Sequence, residues 1–384
     1  MTRRLRLGMV GGGQGAFIGA VHRIAARLDD CFELVAGALS SDPARAQASA
    51  EAIGLERSYA DWREMARVER ARDDGIDAVA IVTPNHLHAP IAHAFLDAGI
   101  HVICDKPLAV SVEEGEALAK HARDARRVFA LTHTYSGYPL VRHARQMVEA
   151  GEIGDVRIVQ VEYAQDWLAT PVERDGANRQ AGWRTDPAFA GPAGCLGDIG
   201  THAHQLAAFV SGLAPSAVSA DVHTFVAGRR VDDHVHAMLR YPGGARGMLW
   251  ASQVASGAEN ALRLRVFGTK AGIAFDQEQP NELWFTPQGG AAQRLTRGRV
   301  PGAEALHATR VPAGHPEGYL EAFAQLYRDA ALQIRAYDAG LEPPPESRLL
   351  TTVDDGVDGL RFIAAVLASS AADGAWQPLL QPHR

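Results

Sequence analysis

The pattern of apolar and polar residues divides the chain into two stretches with different periodicities. Up to about residue 130, short apolar runs rich in β-branched residues alternate with stretches of helical periodicity, which predicts a parallel sheet built from βαβ units. The runs predicted to be strands are 7–10, 32–36, 78–82, 102–104 and 128–132. They are continuous rather than alternating, as expected where helices cover both faces of a parallel sheet.

Capping residues mark the beginnings of the predicted helices in this first stretch. Asp42 is placed to cap a helix over 44–53, with a proline at its first position. Asn85 is placed to cap a helix over 86–98, and Ser111 begins a capping box for a helix that runs to residue 125.

After about residue 150 the apolar positions belong to longer strands with partial alternation, joined by hairpin turns. Consecutive strands of this kind predict a largely antiparallel sheet. The predicted strands are 155–167, 217–225, 234–241, 246–253 and 262–267, and the predicted helices are 198–211, 317–339 and 347–370. We therefore expect an α/β chain with a doubly wound Rossmann domain over residues 1–130 and an α+β domain with an open-faced sheet over 131–384. Within the latter, the helix 347–370 is expected to pack back towards the N-terminal domain.

Composition and charge exclude several classes of function. The 384 residues carry 38 lysines and arginines against 45 aspartates and glutamates, a net charge of −7, and no basic stripe that would bind nucleic acid. No run approaches the ~18 apolar residues that a membrane span needs. Cys31, Cys104 and Cys195 form neither a disulfide framework nor a zinc-binding pattern, which favours a reducing cytoplasm.

The first chemical motif is the glycine loop that follows the first predicted strand. Gly11, Gly13 and Ala16 match the G-x-G-x-x-G/A fingerprint. In that fingerprint, glycines let backbone N–H groups approach a dinucleotide pyrophosphate at a helix N-terminus. The neighbouring residues that we assign to the same cofactor site are Gln14, Phe17 and Ile18.

The end of the second predicted strand lacks the carboxylate that usually binds the adenosine ribose of NAD. Ser40, Ser41 and Arg45 are instead suited to the 2′-phosphate of NADP. Asp42 either reaches a ribose hydroxyl or only caps the following helix. The expected cofactor is therefore NAD or NADP, and the sequence leaves that choice open.

Polar residues also follow the third and fourth predicted strands, at the sheet edge where open α/β proteins bind ligands. The residues that we assign there to the cofactor are Thr83, Pro84, Asn85, His88, Asp105 and Lys106. Asn85 is either a helix cap alone or a cap that also contacts the cofactor. Lys106 is placed to present an ammonium group to the cleft, although an isolated lysine here would be an ordinary surface residue.

A fourth motif contains Asp198 and His202, which are four residues apart and so share one face of a helix. Histidine has an ordinary pKa suited to proton transfer near neutral pH, and an adjacent carboxylate can fix its tautomer. An isolated pair of this kind also fits a helix cap beside a packing histidine.

Taken together and in this order, the glycine loop and the segments 83–86, 105–107 and 197–202 resemble the Gfo/Idh/MocA family of oxidoreductases. The segments 132–135, 181–186 and 314–317 resemble the branch that contains levoglucosan dehydrogenase and 1,5-anhydrofructose reductase. Asp105 departs from the family pattern, in which the lysine motif usually begins with glutamate.

The resemblance implies hydride transfer between a nicotinamide and a ring carbinol of a sugar, anhydrosugar or cyclitol. It implies that His202 transfers the proton, that Lys106 donates to the substrate oxygen, and that Asp198 orients His202 or binds a substrate hydroxyl. Chemistry would then take place between the domains. The further residues that it implies at the substrate or cofactor are Tyr135, Trp183, Arg184 and His315, although Trp183 also fits a packing role. It also implies a homodimer or homotetramer.

Two other functions compete with this interpretation. Histidine pairs at 86/88, 202/204 and 234/236 suggest a metal enzyme, but the last pair lies opposite an apolar set and the second pair diverges on its helix, so we expect no metal. A regulatory protein that binds NAD(P) without turnover is the other alternative. Lys106, Asp198 and His202 together favour catalysis, because a sensor would not need all three.

Overall fold

The computed structural model describes residues 3–174, 176 and 178–379. The elements up to residue 131 are β1 (Leu5–Gly11), α1 (Phe17–Leu28), β2 (Phe32–Ala38), α2 (Pro43–Glu51), β3 (Arg57–Ser58), α3 (Trp62–Arg70), β4 (Ala78–Val82), α4 (His88–Asp97), β5 (His101–Cys104), α5 (Val112–Ala125) and β6 (Phe129–Leu131). They are followed by α6 (Pro139–Glu149), β7 (Val156–Ala164), α7 (Arg179–Arg184), α8 (Pro187–Ala190), a π-helical turn (Leu196–Gly200), α9 (Thr201–Ser211), β8 (Ala217–His223), β9 (His234–Arg240) and β10 (Arg246–Ser252). The last elements are β11 (Ala261–Gly268), β12 (Ala271–Asp276), β13 (Glu282–Pro287), β14 (Gln293–Thr296), α10 (Ala303–Ala308), α11 (Tyr319–Asp338), α12 (Val353–Ala371) and β15 (Gln377–Pro378).

The chain groups into two compact units. One contains the residues up to Thr134 together with Tyr319–Val357, and the other contains Tyr135–Gly318 and the residues from Asp358 onward. The segment 319–357 thus belongs with the first unit, although a division at residue 130 assigned it to the second domain. The reason is burial: apolar side chains of α11, among them Phe323, Tyr327 and Ile334, share a core with Leu7 and Val21.

The first unit contains a six-stranded parallel sheet in the order β3-β2-β1-β4-β5-β6. The strand order reverses between β1 and β4, and doubly wound sheets bind ligands beyond the carboxyl ends of the strands at such a switch point. The predicted Rossmann fold is confirmed. All five predicted strands are present, and only the two-residue β3 was not predicted.

Two of the three predicted helix caps are confirmed in this unit. Asp42 accepts a hydrogen bond from the Arg45 backbone N–H at 2.7 Å, and Ser111 accepts one from the Glu114 N–H at 3.2 Å. The prediction for Asn85 is wrong. A short 3₁₀ turn over Asn85–Leu87 intervenes after β4, so that α4 begins at His88 with Leu87 at its N-cap position.

The second unit contains a nine-stranded sheet in the order β14-β13-β12-β11-β7-β10-β9-β8-β15. Its strands pair antiparallel except for β7 and β10, which run parallel, so the predicted open-faced, largely antiparallel sheet is confirmed. Helix α9 contacts β7, β10 and β11. The large apolar residues that the sheet leaves exposed are Ile158, Met238, Met248, Phe267 and Trp284.

The last long helix begins later than its periodicity predicts. Residues 345–347 form a 3₁₀ turn, and α12 begins at Val353 rather than near Ser347. Thr352 donates its backbone N–H to the Asp355 carboxylate at 2.7 Å, which caps the helix at that point. Within the ranges described, no helix has the length and apolar character to cross a membrane.

Candidate active site

The glycine loop between β1 and α1 has the geometry of a phosphate-binding turn. Gly11 and Gly12 have φ values of 82° and 70°, which favour glycine. A Cβ atom on Gly13 would lie 2.6 Å from the Leu39 carbonyl oxygen, too close for any side chain. Ala16 occupies the N-cap position of α1 without a capping side chain, so the first N–H groups of the helix are available to an anion.

Gly19 is a functional glycine that sequence reasoning missed. A Cβ atom at this position would lie 2.4 Å from the Cα atom of Gly12, so α1 crosses the loop in contact with its backbone. Close packing of helix on strand is the role that the fingerprint gives to its third small residue, which is Ala16 in the motif match. The sequence did contain a signal for this role, because Gly19 is a second small residue about one helical turn after Ala16.

The end of β2 leaves polar side chains accessible for an adenosine group. Ser41 and Arg45 are exposed, and Ser40 is half-buried. The Asp42 carboxylate caps α2, and the Asp42 N–H donates to Ser40 Oγ at 3.2 Å. Of the two interpretations of Asp42, the helix cap is therefore observed.

The segments that follow β4 and β5 are joined through His88. Its ring nitrogens lie 2.7 Å from the Pro107 carbonyl oxygen and 2.9 Å from the Thr83 carbonyl oxygen, and the residue is only 1% exposed. Burial lowers the pKa of His88. Both ring nitrogens thus face protein carbonyls, and His88 links the segment of Asn85 to that of Lys106.

Asp105 holds the backbone beside Lys106. Its Oδ1 accepts hydrogen bonds from the Thr132 hydroxyl at 2.8 Å and from the Lys106 backbone N–H at 3.0 Å. These bonds connect the ends of β5 and β6, which are neighbours in the sheet. A carboxylate held in this way fixes the main chain from which the lysine side chain extends.

The helix that carries Asp198 and His202 differs from the regular helix that we predicted. Leu196–Gly200 form a π-helical turn, in which the Thr201 N–H bonds to the carbonyl five residues back, and the regular helix begins only at Thr201. Asp198 Oδ2 accepts a hydrogen bond from Gln253 Nε2 at 2.9 Å and lies 3.5 Å from Arg184 Nε. The Asp198 carboxylate is therefore oriented from the sheet and from α7.

The imidazole of His202 lies among tyrosines. His202 is 8% exposed, and its ring centroid lies 4.9 Å from that of Tyr135 in an edge-to-face arrangement and 6.3 Å from that of Tyr163. The two tyrosine hydroxyls are hydrogen-bonded to each other, and the Tyr163 hydroxyl donates to Asn260 Oδ1 at 2.7 Å. Burial raises the pKa of Tyr135, which keeps the phenol protonated.

Three amide side chains complete this cluster, and sequence reasoning missed all of them. Gln165 Nε2 donates to Asn260 Oδ1 at 2.7 Å, and Gln253 Nε2 lies 3.5 Å from Gln165 Oε1. Gln165 follows β7, Gln253 follows β10, and Asn260 precedes β11. Because β7 and β10 are parallel neighbours and β11 is antiparallel to β7, the end of β7, the end of β10 and the start of β11 lie side by side. All three residues are therefore at the same end of these central strands. We call Gln165, Gln253 and Asn260 the amide row.

The remaining predicted substrate residues lie in two segments. The Arg184 guanidinium lies 4.2 Å from the Trp183 ring centroid, and its Nε lies 3.5 Å from Asp198 Oδ2. His315 lies in an exposed loop, and its hydrogen bonds involve only its backbone. That loop is anchored by the buried ion pair of Arg297 and Glu317 at 2.9 Å. A role of the His315 side chain at the substrate stays a prediction.

The histidine pairs do not assemble a metal site within the described ranges. No group of three or more histidine, cysteine, aspartate or glutamate side chains there is arranged to hold a metal ion. His234 Nε2 and His236 Nδ1 lie 3.0 Å apart on the outer face of the sheet.

Two family models match the chain, one in a part of each unit. Residues 5–133 match an oxidoreductase family with an NAD-binding Rossmann fold, and residues 141–274 match the GFO/IDH/MocA C-terminal domain. The chain belongs to the Gfo/Idh/MocA family. This confirms the family that the motif order indicated, an oxidoreductase family with an NAD-binding Rossmann fold.

Three relatives show how far the similarity extends. An oxidoreductase of known structure from Sinorhizobium meliloti is 48% identical, with a TM-score of 0.88 over 98% of this chain and 100% of the other. An inositol dehydrogenase homologue from Azotobacter vinelandii, solved with NADH and myo-inositol, is 35% identical, with a TM-score of 0.91 over 98% of each chain. Levoglucosan dehydrogenase of Pseudarthrobacter phenanthrenivorans is 33% identical over 73% of this chain and 76% of that enzyme.

Proposed function

We propose that this family member oxidises a ring carbinol of a sugar, anhydrosugar or cyclitol and transfers the hydride to NAD or NADP. The observation that carries the proposal is that His202 packs against the rings of Tyr135 and Tyr163, whose hydroxyls are hydrogen-bonded to each other and to the amide row. A ring polyol presents several hydroxyls, each of which both donates and accepts hydrogen bonds. Amide side chains offer a carbonyl oxygen and an NH₂ group at the same place and are therefore matched to such a ligand.

His202 takes the proton of the reacting hydroxyl as the hydride leaves. This step needs a base whose pKa lies near neutral pH, and histidine is the side chain with that property. Gln253 and Arg184 fix the Asp198 carboxylate, which suits it to orient His202 or to accept a hydrogen bond from a second substrate hydroxyl. Tyr135, protonated and packed against the imidazole, is assigned to the substrate in this proposal.

The cofactor occupies the carboxyl edge of the first sheet in this proposal. NAD or NADP supplies the hydride acceptor, C4 of the nicotinamide. The loop from Gly11 to Ala16 holds the pyrophosphate, and Ser40, Ser41 and Arg45 surround the adenosine 2′ position. Lys106, on the backbone that Asp105 holds, donates to the substrate oxygen and stabilises the charge that develops there.

The exposed face of the second sheet serves as the interface of a homodimer or homotetramer in this proposal. Methionine, aromatic and arginine side chains are enriched at protein interfaces, and Met238, Met248 and Trp284 are exposed on this sheet. Sedimentation velocity should show an oligomer for the wild-type protein. Met248→Asp, which buries a charge in the interface, should shift it towards the monomer.

We place the enzyme in the cytoplasm. Its three cysteines are unpaired, and Cys104 and Cys195 are buried. Burial raises the pKa of both buried thiols, so they stay protonated and unreactive, which suits a reducing compartment.

A substrate screen tests the proposed reaction. Sugars, anhydrosugars and inositols would each be supplied with NAD or NADP, and reduced nicotinamide would be followed by its absorbance. We expect turnover of at least one ring polyol. The His202→Asn variant should lose about 10²–10⁴-fold in kcat while it binds the cofactor as before. Equal turnover by His202→Asn and wild type would refute the assigned role.

A further inference from the structure

Asp232 lies in the loop before β9 and forms three hydrogen bonds to one short segment. Its Oδ1 accepts from the Gly194 N–H at 2.6 Å, its Oδ2 accepts from the Leu196 N–H at 2.7 Å, and its backbone carbonyl accepts from the Cys195 N–H at 2.9 Å. Three successive backbone donors thus end on a single residue. Asp232 itself is only 6% exposed.

Gly194 shows that this contact is close. A Cβ atom there would lie 2.3 Å from the Asp232 carbonyl oxygen and 2.6 Å from Val231 Cγ2. Position 194 therefore has to be glycine if the segment is to approach Asp232 in this way.

The segment that Asp232 holds is the beginning of the helix that carries the proposed catalytic groups. The π-helical turn starts at Leu196, Asp198 lies two residues later, and His202 follows in the first turn of α9. The first N–H groups of a helix have no acceptor within the helix, and a negative charge next to them is favourable. Asp232 supplies both the acceptors and the charge.

The Asp232 carboxylate has no cationic partner among the described residues. Its neighbour Asp233, by contrast, pairs with Arg229 at 3.1 Å. Burial raises the pKa of Asp232 to about 6, although the N–H groups of Gly194 and Leu196 act in the opposite direction. An ionised carboxylate buried without a cation is unfavourable for stability, which points to a purpose other than stability.

We propose that Asp232 is a positioning residue, whose carboxylate fixes the start of the π-helical turn and thereby the orientation of Asp198 and His202. The inference rests on the proposed function, since it gives these two residues their importance. Asp232 does not touch the substrate and acts only through the helix.

The test is Asp232→Asn, which keeps the size of the side chain but retains only one of its two acceptor oxygens. The matched control is Asp77→Asn, because the Asp77 carboxylate also accepts a backbone N–H, that of Arg6 at 2.6 Å, in the first unit. We expect Asp232→Asn to lose about 10²-fold in kcat, as for a misplacement of about 1 Å, with the cofactor Kd within about twofold of wild type. Asp77→Asn should keep its kcat.

A second readout does not depend on turnover. The ring resonances of ¹³C-labelled His202 should shift in Asp232→Asn and stay in place in Asp77→Asn, even if no polyol in the screen is a substrate. Should Asp232→Asn fail to fold, Gly194→Ala tests the same contact from the other side and should give the same two changes. An unchanged His202 resonance, or kcat within about twofold of wild type, would overturn the proposal, as would a kcat loss that matches the loss of folded protein.

Discussion

Replacing Asp232 by asparagine removes a titrating group from the interior of the second unit, so its effect on stability should depend on pH. The pKa of Asp232 is raised from 3.8 to about 6, chiefly by burial and to a small extent by the neighbouring Asp233. A carboxyl group with a raised pKa in the folded state contributes stability below its unfolded pKa, and this contribution is lost as the pH rises through the folded pKa.

The size of this effect follows from the shift. A difference of about 2 pKa units corresponds to about 3 kcal/mol, because one unit is 1.36 kcal/mol. Asparagine does not titrate, so the wild-type protein should lose about 3 kcal/mol relative to Asp232→Asn as the pH rises from below 3.8 to above 6. Roughly half of this change should fall between pH 5 and pH 7.

Urea unfolding of both proteins at several pH values, followed by tryptophan fluorescence, measures the difference. Asp77→Asn is a control for which the pH dependence of stability should have the opposite sign. Burial opposes ionisation of Asp77, but hydrogen bonds from Arg3 and the Arg6 N–H outweigh it and lower its pKa, so that its contribution is lost as the pH falls. A difference between wild type and Asp232→Asn that stays constant with pH, or that runs in the same direction as for Asp77→Asn, would refute the reasoning.

Three further predictions concern the cofactor and the reacting groups. Gly13→Val should abolish NAD binding in calorimetry, because its side chain meets the Leu39 carbonyl oxygen and displaces the loop. A circular dichroism spectrum that keeps its wild-type shape checks that the displacement stays local, and unchanged affinity would remove the pyrophosphate assignment. Arg45→Ala should raise the Kd for NADP more than that for NAD, and an equal effect on both would contradict the 2′-phosphate role. Lys106→Ala should lose about 10²–10³-fold in kcat, and its combination with His202→Asn should fall short of the product of the two losses; full multiplicativity would argue against a shared step.

Much of the first unit could be predicted from local signals in the sequence. Its strands are continuous apolar runs, and Asp42 and Ser111 cap helices within three residues of their own position. Asn85 misled because the same residue type that caps a helix also begins a 3₁₀ turn, and only the path of the chain after β4 decides between them. Helix α11 was found as a helix, but its place in the first core depends on contacts with residues some 300 positions earlier, such as the His22–Tyr327 hydrogen bond with a separation of 305.

In the candidate site, too, the residues that are close in sequence could be predicted and those that meet only through the fold could not. Asp198 and His202 were found because they are close in sequence and belong to a known motif. The amide row was missed because Gln165 and Asn260 are 95 residues apart and meet only through the pairing of β7 with β11. The π-helical turn was missed because Asp232, which binds its start, is distant in the sequence. Asp232 lies 38 positions after Gly194 and 36 positions after Leu196, the two residues whose N–H groups its carboxylate accepts. Periodicity reports which face of a helix is buried, but it does not report a carboxylate that arrives from elsewhere in the chain.

Transfer of deuterium tests the central claim most directly. The ring polyol that the screen identifies would be prepared with deuterium at the carbinol carbon and incubated with the enzyme and NAD or NADP, and the nicotinamide product would be analysed by NMR. Direct hydride transfer predicts deuterium at C4 of the nicotinamide, on one face only. The His202→Asn variant should transfer deuterium only at its strongly reduced turnover rate. A nicotinamide reduced without deuterium, or none reduced with any ring polyol, would contradict the proposed reaction.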